Sequence, residues 1–598
     1  INGVAQILEE TINPVTGEAF LPAGGNALVP SVNVSRTGYN ERDLTNYNAE
    51  SIKADWGLYF RPWENDFEIQ YVGKIGSGNT IYQGANRYNI KNFFLQQHKL
   101  EIRNDNFFVR GYVTEDKAGD SYDMVFTGIN INRAWKDDNT WFGEYVAGYI
   151  GATLSGASND AAHTFARNVA DEVFDLDANG QPILDANGAP IESDGVVRYL
   201  PGTTQYQAAF NRSINDPDLS TGSKFQDNSK IYHGDWNYNF GDLVDFAEIQ
   251  VGGSVRRYSL NSSGTIYTDI DGPINYDEFG LYTQLQKSLE LSESVELKLT
   301  GSLRFDKNEL FDGLFSPRLS AGFTINEDHN IRASFQTGFR NPTTQDLYIG
   351  LNVGRAILVG GAEDNPARDI RNYDLSPTGT AITGQTSLEV NGTGAYNNSF
   401  FANSVGAFAA TGNPAALEVA NSNLAQPEQV TSYELGYRGK FDGVIVDASA
   451  YYNQYQDFLA NETVISPFYG DVGLTQTLPD GTPLAVAAIA NGDFEAYQTY
   501  TNADEDVNSY GAAIQVSTKV LDGFDLSANY TYAKLDFDTE ANPDFRTNFN
   551  TPEHKVKVSF GKTELFKNFG FNTSWRWSDN FFWEASFGDG EVPAYSVL

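Results

Sequence analysis

The segment VELKLTGSLRF, residues 295–305, alternates strictly between two kinds of side chain. Its odd-numbered positions are apolar or glycine, whereas its even-numbered positions are polar and include the charged residues Glu296, Lys298 and Arg304. An alternation of period two is typical of a β-strand with one face in an apolar medium and the other in water. Its length matches the roughly 9 to 11 residues that a tilted strand needs to cross a bilayer. The segment therefore predicts a transmembrane strand.

The same alternation recurs in pairs of segments that are joined by short turns. The pairs are 318–325 with 331–337, 433–437 with 444–452, and 510–519 with 524–533. Two of the turns contain Asp-Gly, at Asp442 and at Asp522, and this dipeptide between alternating segments is a strong signal for a hairpin. One such strand would also fit a soluble β-sandwich, but its recurrence favours a membrane barrel.

The connections between these hairpins differ greatly in length. Three are long, near residues 152–232, 343–430 and 456–507, and structureless connections of such length are uncommon in compact soluble domains. Outer-membrane barrels have short periplasmic turns and long extracellular loops, and their closure leaves no unpaired backbone edge in lipid. We therefore predict an all-β fold, a large transmembrane antiparallel β-barrel of roughly 20 strands over residues 51–598. Residues 1–50 are expected to hold the end of a plug, or a first strand and its loop.

The charge and composition of the chain exclude other classes of protein. The net charge is −38, from 78 acidic and 40 basic residues, whereas a nucleic-acid partner requires a basic surface. An aromatic content of 14% fits the aromatic girdles of a membrane barrel. A soluble acidic binding protein or hydrolase is the competing interpretation. The sequence contains neither a phosphate-binding loop nor a nucleophile elbow, and we predict that the chain is not an enzyme.

Five motifs in order resemble the TonB-dependent outer-membrane transporter (receptor) family. The segment SFQTGFRNPTTQDLY, from Ser334, is similar to the family's Gly-Phe-Arg-x-Pro-Thr strand end. The segment NSNLAQPEQVTSYELGYRG, from Asn421, is similar to its Asn-x-Leu-x-Pro-Glu segment and the Tyr-Glu-Leu-Gly strand that follows. DASAYYNQYQDFL, NSYGAAIQVST and TPEHKVKVSF then follow in the family's order. The upstream segment from Gly76 to Asp123 resembles the Bacteroidota-type branch.

The resemblance implies a function and a set of partners. Family members are 22-stranded barrels, plugged by an N-terminal globular domain, that import scarce solutes across the outer membrane of Gram-negative bacteria. A periplasmic TonB energy-coupling complex drives import, and some branches add a surface lipoprotein partner. The plug domain and the closing strands are expected to lie outside this sequence, so the chain is expected to be incomplete at both ends. The alternative is a transporter-derived barrel that serves as a structural subunit of a larger outer-membrane protein assembly.

Four residues near the GFRNP motif are candidate contacts for the plug or a substrate. Counting by alternation from Phe335, which is expected to face lipid, places Arg332, Gln336 and Arg340 on the lumen face. Asn341 follows directly. Arg340 with Asn341 would hold the plug or contact the substrate. The alternative is that Arg340 pairs with an acidic residue on the next strand.

A second candidate site is a calcium loop in the segment FDLDANGQPILDANGAPI, which begins at Phe174. Asp175, Asp177 and Asn179 supply oxygen ligands at alternating positions, and the following glycine suits the sharp turn of a calcium loop. The twelfth position is not a glutamate, although Asp185 lies one place earlier. Structural calcium is thus one interpretation and ordinary Asn-Gly turns are the other. No other cofactor is predicted.

A third candidate is the charged segment GGAEDNPARDIRNYD in the longest loop. Glu363, Asp364, Arg368 and Asp369 mix both signs of charge there. The segment is either a ligand-facing patch or a solvated loop held by surface ion pairs, which are common in proteins.

The segment NDAAHTFARNVADEVF predicts a short helix within the first long loop. Apolar residues recur at helical spacing from Ala162 to Val173, and Asn159 or Asp160 is the expected N-cap. His163 has no second ligand at helical spacing, so we expect a packed or surface histidine rather than a zinc ligand.

Overall fold

The part of the chain that the structure describes forms 28 strands and 11 α-helices. The structure is a computed structural model, and it describes residues 28–30, 32–84, 86–173, 183, 198–420, 422–503, 507–538, 545–547, 549–584 and 589–598. In chain order the strands are β1 (Glu50–Phe60), β2 (Glu68–Gln83), β3 (Arg87–Arg103), β4 (Phe107–Lys117), β5 (Tyr122–Asp123), β6 (Lys230–Asn239), β7 (Glu248–Leu260), β8 (Ile274–Ser292), β9 (Val295–Asn308), β10 (Leu314–Ile325), β11 (His329–Arg340), β12 (Gly350–Asn352), β13 (Ile357–Val359), β14 (Ile370–Asp374), β15 (Ser387–Asn391), β16 (Phe400–Phe401), β17 (Glu428–Phe441), β18 (Val444–Gln456), β19 (Leu459–Pro467), β20 (Phe494–Asn502), β21 (Val507–Val520), β22 (Phe524–Asp536), β23 (Phe545–Arg546), β24 (His554–Phe566), β25 (Phe569–Ser578), β26 (Phe581–Trp583), β27 (Gly590–Val592) and β28 (Tyr595–Val597).

The helices lie almost entirely in the connections between these strands. In chain order they are α1 (Glu41–Leu44), α2 (Met124–Trp135), α3 (Asp138–Leu154), α4 (Asn159–Ala170), α5 (Thr204–Ser213), α6 (Thr344–Tyr348), α7 (Asn365–Arg368), α8 (Pro377–Thr383), α9 (Thr393–Asn397), α10 (Ala402–Thr411) and α11 (Leu484–Asn491). Among the described residues, none of these helices combines the length and the apolar character that crossing a membrane requires.

Most of the long strands form one antiparallel sheet of 18 strands, here called the main sheet. Strands that are consecutive in the chain are neighbours in this sheet, from β1 to β4, from β6 to β11, and then β17, β18, β21, β22, β24, β25 and β28. The short β5 pairs with one end of β3. The all-β prediction is confirmed, and the order is the meander that hairpins joined by short turns produce.

The register gives the main sheet one apolar and one polar face. Leu297 in β9 lies opposite Leu289 in β8 and Phe323 in β10, while the next residue, Lys298, lies opposite Gly322. Because successive side chains of a strand point to opposite faces, the alternation within residues 295–305 continues across the sheet. Large side chains of the apolar face are exposed in the isolated chain, as a lipid-facing surface requires.

Short turns join the strands at one edge of the main sheet. The turn between β17 and β18 consists of Asp442 and Gly443, whose φ angles are 41° and 88°. Positive φ at both positions is the type I′ geometry that matches the twist of a hairpin, and glycine adopts it without steric cost. The hairpins β8–β9 and β24–β25 also turn within two residues, at 293–294 and 567–568.

The opposite edge of the main sheet carries the long connections, which are folded. They run over residues 118–229, 341–427 and 457–506, so the first of them begins well before the predicted residue 152. Each connection contributes apolar side chains to a buried cluster, so these long connections are packed rather than structureless. These clusters offset the entropy of ordering the backbone.

The first connection forms a helical unit, which consists of α2–α5 and of residues 29–30 and 32–45 packed against them. Trp141 and Tyr145 of α3, which are 0% and 1% exposed, lie at its centre beside Ala166 of α4. Helix α4 follows the predicted helical spacing, but its N-cap is Ser158, whose side chain accepts a hydrogen bond from the Ala161 amide. The cap therefore lies one residue before the predicted Asn159.

Asp123 begins helix α2 and ties the helical unit to the main sheet. Its carboxylate accepts hydrogen bonds from the amides of Val125 and Phe126 and from the side chain of Asn86. Burial nevertheless raises the pKa of Asp123 to about 6, because these hydrogen bonds only partly replace its hydration. We interpret this perturbed carboxyl as a helix cap.

The second and third connections build a sheet of their own, here called the loop sheet. Its order is β12-β13-β20-β19-β16, and β23 pairs with β19. β19 and β20 extend the β18–β21 pair beyond the main sheet. β13 comes from the preceding connection and pairs parallel to β20, so that Ile357 lies opposite Tyr497. The two connections thus form one folded body.

Candidate functional site

A cluster of polar side chains lies on the polar face of the main sheet, near the edge with the long connections. This rim cluster consists of Arg256, Tyr258, Glu278, Asn308 and Asn341. The Nδ2 atoms of Asn308 and Asn341 donate to Oε1 of Glu278 at 2.7 and 2.9 Å. Nη1 of Arg256 lies 3.3 Å from Oε2 of Glu278 and donates to the Tyr258 hydroxyl at 3.0 Å. Glu278 is therefore the common acceptor of the cluster.

A cavity of about 330 Å³ adjoins the rim cluster. Its wall includes Arg304 of β9, which binds Asp306 with Nε–Oδ2 and Nη2–Oδ1 distances of 2.7 and 2.5 Å. The two arginines and two carboxylates around this cavity balance in charge. Such a wall offers both hydrogen-bond donors and hydrogen-bond acceptors to a polar solute, and it does not preferentially attract one sign of charge.

The chain after β11 folds over the polar face instead of leaving the sheet. Asn341 reaches Glu278 of β8, three strands away in the sheet order. Tyr348 of α6 then packs against Tyr276, with ring centroids 5.9 Å apart, and Tyr276 stacks on Tyr258 at 4.6 Å. The start of the second long connection thus covers the polar face at its rim.

The four candidate contact residues near the GFRNP motif do not form one site in the structure. Arg332, Gln336 and Arg340 lie on the polar face, as the count from Phe335 predicts. Only Asn341 belongs to the rim cluster. Gln336 lies opposite Ser432 of β17, and Arg332 approaches Asp447 at 3.7 Å. Their contact with a plug or a substrate stays a prediction.

Arg340 pairs with an acidic residue on the next strand. Its Nη2 atom lies 2.8 Å from Oε2 of Glu428 in β17, the residue directly opposite in register. The same oxygen accepts the backbone amide of Leu459 at 3.0 Å, and the Glu428 side chain is 9% exposed. Arg340 thus supports the junction between the main sheet and the loop sheet.

Replacement of Arg340 by methionine should loosen this junction. The nearly buried Glu428 carboxylate would lose its cation, which we expect to cost about 1–2 kcal/mol because Arg340 itself is 57% exposed. Hydrogen exchange followed by mass spectrometry should show faster exchange at residues 459–462.

The matched control for Arg340 is Arg332→Met. Its ion pair is longer, at 3.7 Å, and both side chains are well exposed. We therefore expect the replacement of Arg332 to cost less than about 0.5 kcal/mol of stability. The double variant Arg340→Met/Glu428→Gln should recover part of the protection. Equal exchange in the two single variants would contradict the assigned role of Arg340.

Sequence reasoning missed Arg256 and Glu278. Glu278 follows Asp277 in the segment NYDEFG, and the two carboxylates look equivalent in the sequence. The register separates them, because Glu278 points to the polar face while Asp277 lies on the apolar face, where it pairs with Arg257. The alternation within β8 was the available signal, because its even-numbered residues from Tyr276 to Ser292 are glycine or polar residues.

The charged segment 363–369 is held largely by its own ion pairs. Arg368 lies 2.7 Å from Asp364 one helical turn away, and both are exposed. Asp369 is buried and binds Arg371 at 2.7 Å. Glu363 differs, because it is exposed and lines a cavity of about 500 Å³ between the second and third connections. A ligand-facing role for these residues stays a prediction.

Electrostatics near Asp369 indicate a packed interior. Burial raises the pKa of Glu495 in β20, and a hydrogen bond from Tyr373 and the nearby charge of Arg371 only partly offset this rise. The group holds β14 against the loop sheet.

The predicted calcium residues Asp175, Asp177, Asn179 and Asp185 lie outside the described residues. Elsewhere in the described chain, no group of three or more histidine, cysteine, aspartate or glutamate side chains has the geometry to hold a metal ion. His163 lies in the helical unit, where its Nδ1 atom is 2.8 Å from the Tyr145 hydroxyl. This packed position is one of the two alternatives to a zinc ligand that the sequence leaves open.

The main sheet is an antiparallel meander with one apolar and one polar face, with short turns at one edge and folded connections at the other. This arrangement is typical of membrane β-barrel proteins. The chain belongs to the TonB dependent receptor-like, beta-barrel family, whose model matches residues 22–598. Receptors of this family are proteins of the Gram-negative outer membrane. The predicted location in the cell outer membrane is thereby confirmed.

Individual relatives are similar over shorter segments. The Vitamin B12 transporter BtuB of Photobacterium profundum is 26% identical over 170 residues, which are 28% of this chain and 24% of that protein. BtuB of Vibrio vulnificus is 37% identical over 68 residues, 11% of this chain and 10% of that protein. The chain thus matches a quarter or less of the length of these curated relatives.

Solved receptors from Pseudomonas aeruginosa are similar over most of the chain. The ferric enterobactin receptor PfeA aligns with a TM-score of 0.49 and 12% identity, over 92% of this chain and 61% of that one. The siderophore receptor PirA aligns with a TM-score of 0.43 and 12% identity, over 89% of this chain and 64% of that one.

Proposed function

We propose that the protein is a TonB-dependent receptor that imports a scarce solute across the outer membrane. The observation that carries this proposal is the family match over residues 22–598. The periplasmic TonB complex would supply the energy, and a plug inside the barrel would open the path.

The proposal includes a complete architecture for the full-length protein. The main sheet would close into a barrel of 22 strands with the polar face lining the lumen, the short turns in the periplasm and the long connections outside the cell. The distribution of turns and connections supports this orientation. The Bacteroidota-type branch and a surface lipoprotein partner stay predictions.

The rim cluster would contact the solute on its way to the plug. It lies on the polar face beside a cavity, and the start of the second connection covers it. Glu278 already accepts hydrogen bonds from four side chains, so its carboxylate is fixed in position before a solute arrives. Fixed groups bind a ligand at lower entropic cost than mobile ones.

An uptake experiment in the native host tests the proposed function. Cells that lack the gene, and the same cells with the full-length gene restored, are given radiolabelled vitamin B12 and ferric enterobactin, the solutes that the names of the relatives suggest. A panel of other ferric chelates, oligosaccharides and peptides extends the test. We expect restored uptake of one solute, and its loss when a protonophore removes the energy for TonB.

Two controls separate import from a structural role. Glu278→Gln should lower uptake of the solute, whereas Lys534→Gln, on the apolar face of β22, should not. Uptake that is identical with and without the gene, together with an outer-membrane assembly that falls apart when the gene is deleted, would overturn the proposal. That result would favour the structural-subunit alternative.

A further inference from the structure

The apolar face of the main sheet contains an open groove. Gly111 of β4 lies directly opposite Gly234 of β6. A Cβ atom added to Gly111 would meet its nearest neighbour, the His233 carbonyl oxygen, at 3.6 Å, and one added to Gly234 would meet the Val255 side chain at 3.4 Å. Around this glycine pair lies a depression of about 740 Å³. We call it the glycine groove.

Exposed apolar side chains form the walls of the glycine groove. Leu100, Tyr232, Val255 and Phe279 line it, and their exposed fractions are 53%, 45%, 61% and 45%. The groove lies on the face that contacts lipid, so a hydrocarbon chain is the occupant that its surface suits.

Two other glycines of the apolar face, Gly73 and Gly253, are covered. A Cβ atom at Gly73 would collide with the ring of Trp56, and one at Gly253 would collide with Leu281 and approach the indole nitrogen of Trp236 at 3.0 Å. Large side chains therefore fill the space above these two glycines. Two open glycines lie directly opposite each other only at Gly111 and Gly234 among these sites, whereas Gly301, which is also open, lies between Leu285 and Leu319.

Three cations lie on the same face above the groove, towards the edge with the long connections. This cationic band consists of Lys117, Lys230 and Arg257, whose side chains are 48%, 35% and 59% exposed. The Nζ atoms of Lys117 and Lys230 lie 3.7 and 3.3 Å from the same oxygen of Glu115. Arg257 binds Asp277 with two hydrogen bonds of 2.7 and 2.6 Å.

The cationic band carries an excess of positive charge in a strongly acidic chain. Its three cations face two carboxylates, Glu115 and Asp277, because two ammonium groups share one of them. Beside the band, Lys307 and Glu309 add one charge of each sign and leave the excess unchanged. The whole chain has a net charge of −38, so a positive patch on a lipid-facing surface requires an explanation. Phosphate groups of a lipid supply the complementary charge.

We propose that the glycine groove and the cationic band together bind one phosphorylated glycolipid of the lipid A class. The phosphates lie at Lys117, Lys230 and Arg257, and an acyl chain fills the groove over Gly111 and Gly234. Gly234 follows Lys230 by four residues in β6, which places the glycine pair roughly 13 Å below Lys230, whereas Arg257 lies opposite Tyr232 at the upper end of the groove. The band lies at the outer leaflet in the orientation proposed above, and lipid A is the phosphorylated multi-chain lipid of that leaflet.

Titration of the purified full-length protein with lipids, followed by native mass spectrometry, tests this inference without measuring import. The probes are bis-phosphorylated lipid A, its dephosphorylated form and phosphatidylglycerol. The triple variant Lys117→Gln/Lys230→Gln/Arg257→Gln should raise the Kd for bis-phosphorylated lipid A by at least about tenfold. It should leave the Kd for the dephosphorylated form unchanged.

Two further variants keep the test decisive. The double variant Gly111→Val/Gly234→Val fills the groove with side chains. It should weaken the binding of both forms of lipid A, because the acyl chain loses its space. Lys534→Gln removes a cation from the same face of β22, where its partner Glu553 is 3.6 Å away, and should change the Kd by less than about twofold. The proposal is overturned if the triple variant binds bis-phosphorylated lipid A like the unmodified protein, or if phosphatidylglycerol binds as tightly as lipid A.

Discussion

Replacement of Trp141 by alanine is expected to unfold the helical unit while the main sheet stays intact. Trp141 is 0% exposed, and its Nε1 atom donates to Asp171 at 2.9 Å. The guanidinium groups of Arg36 and Arg167 lie 5.6 and 5.7 Å from its ring. Loss of this side chain leaves a cavity and removes one of the two side-chain donors to Asp171, the other being the Thr37 hydroxyl. We expect a cost of about 3–5 kcal/mol.

Hydrogen exchange and limited proteolysis of the purified protein measure this effect. Amides of α3 and α4 should exchange much faster in Trp141→Ala, and protease should cut within residues 138–170. Leu154→Ala, at a side chain that is 70% exposed in the same helix, is the matched control and should change little. Equal protection in the two variants would show that Trp141 does not hold the unit together.

Replacement of Gly361 by alanine should separate the segments that meet at the base of the loop sheet. A Cβ atom there would lie 2.5 Å from the carbonyl oxygen of Tyr500 and 2.7 Å from the amide nitrogen of Ala425. Both neighbours are backbone atoms, so neither can rotate away. The Gly361 amide also donates to Asp346 at 2.7 Å, and its carbonyl accepts from Ala425 at 3.0 Å. We expect a loss of more than about 3 kcal/mol in the stability of this body.

Gly406→Ala is the matched control for Gly361→Ala. Gly406 lies in α10 with open space around a Cβ atom, and alanine should stabilise that helix by up to about 1 kcal/mol. The measurement is the thermal unfolding transition of the loop sheet, and hydrogen exchange at β13 and β20 is the probe that monitors it. An unchanged transition in Gly361→Ala would mean that the close packing of these segments does not limit stability.

Strand positions were predictable because alternation is a local property of the sequence. Residues 295–305 lie in β9, and the count from Phe335 places Arg332 and Arg340 correctly on the polar face. A slip of one residue would have placed these charges in lipid, so the register is strongly determined.

The rim cluster was not predictable in the same way. Asn341 and Glu278 are 63 residues apart in the chain, and no local pattern brings them together. For Arg340, by contrast, the interpretation as an ion pair with the next strand is the one that the structure shows. Its acidic partner, Glu428, lies directly opposite in register. A resemblance to a family identifies characteristic strand ends, but which side chains meet across the lumen depends on the register of every strand between them.

Apart from helix α4, the folded structure of the long connections was not predicted, because its signals in the sequence are short. Asp123 and Asp137 are good N-caps for α2 and α3, but helices of this kind gain most of their stability from tertiary packing. The core that supplies this packing combines residues such as Val29 and Leu44 with helices that lie about 80 or more residues later in the chain, which local periodicity does not reveal.

The parallel pairing of β13 with β20 has a consequence for biogenesis. Ile357 and Tyr497 are about 140 residues apart, and the hairpin β17–β18 lies between them in the chain. Contacts between such distant segments form late, because the entropy of closing the loop must be overcome first. The loop sheet can therefore be completed only after the intervening strands have been placed in order. A chain that stalls during insertion would expose an unfinished loop sheet, by which proteases can recognise incomplete assembly.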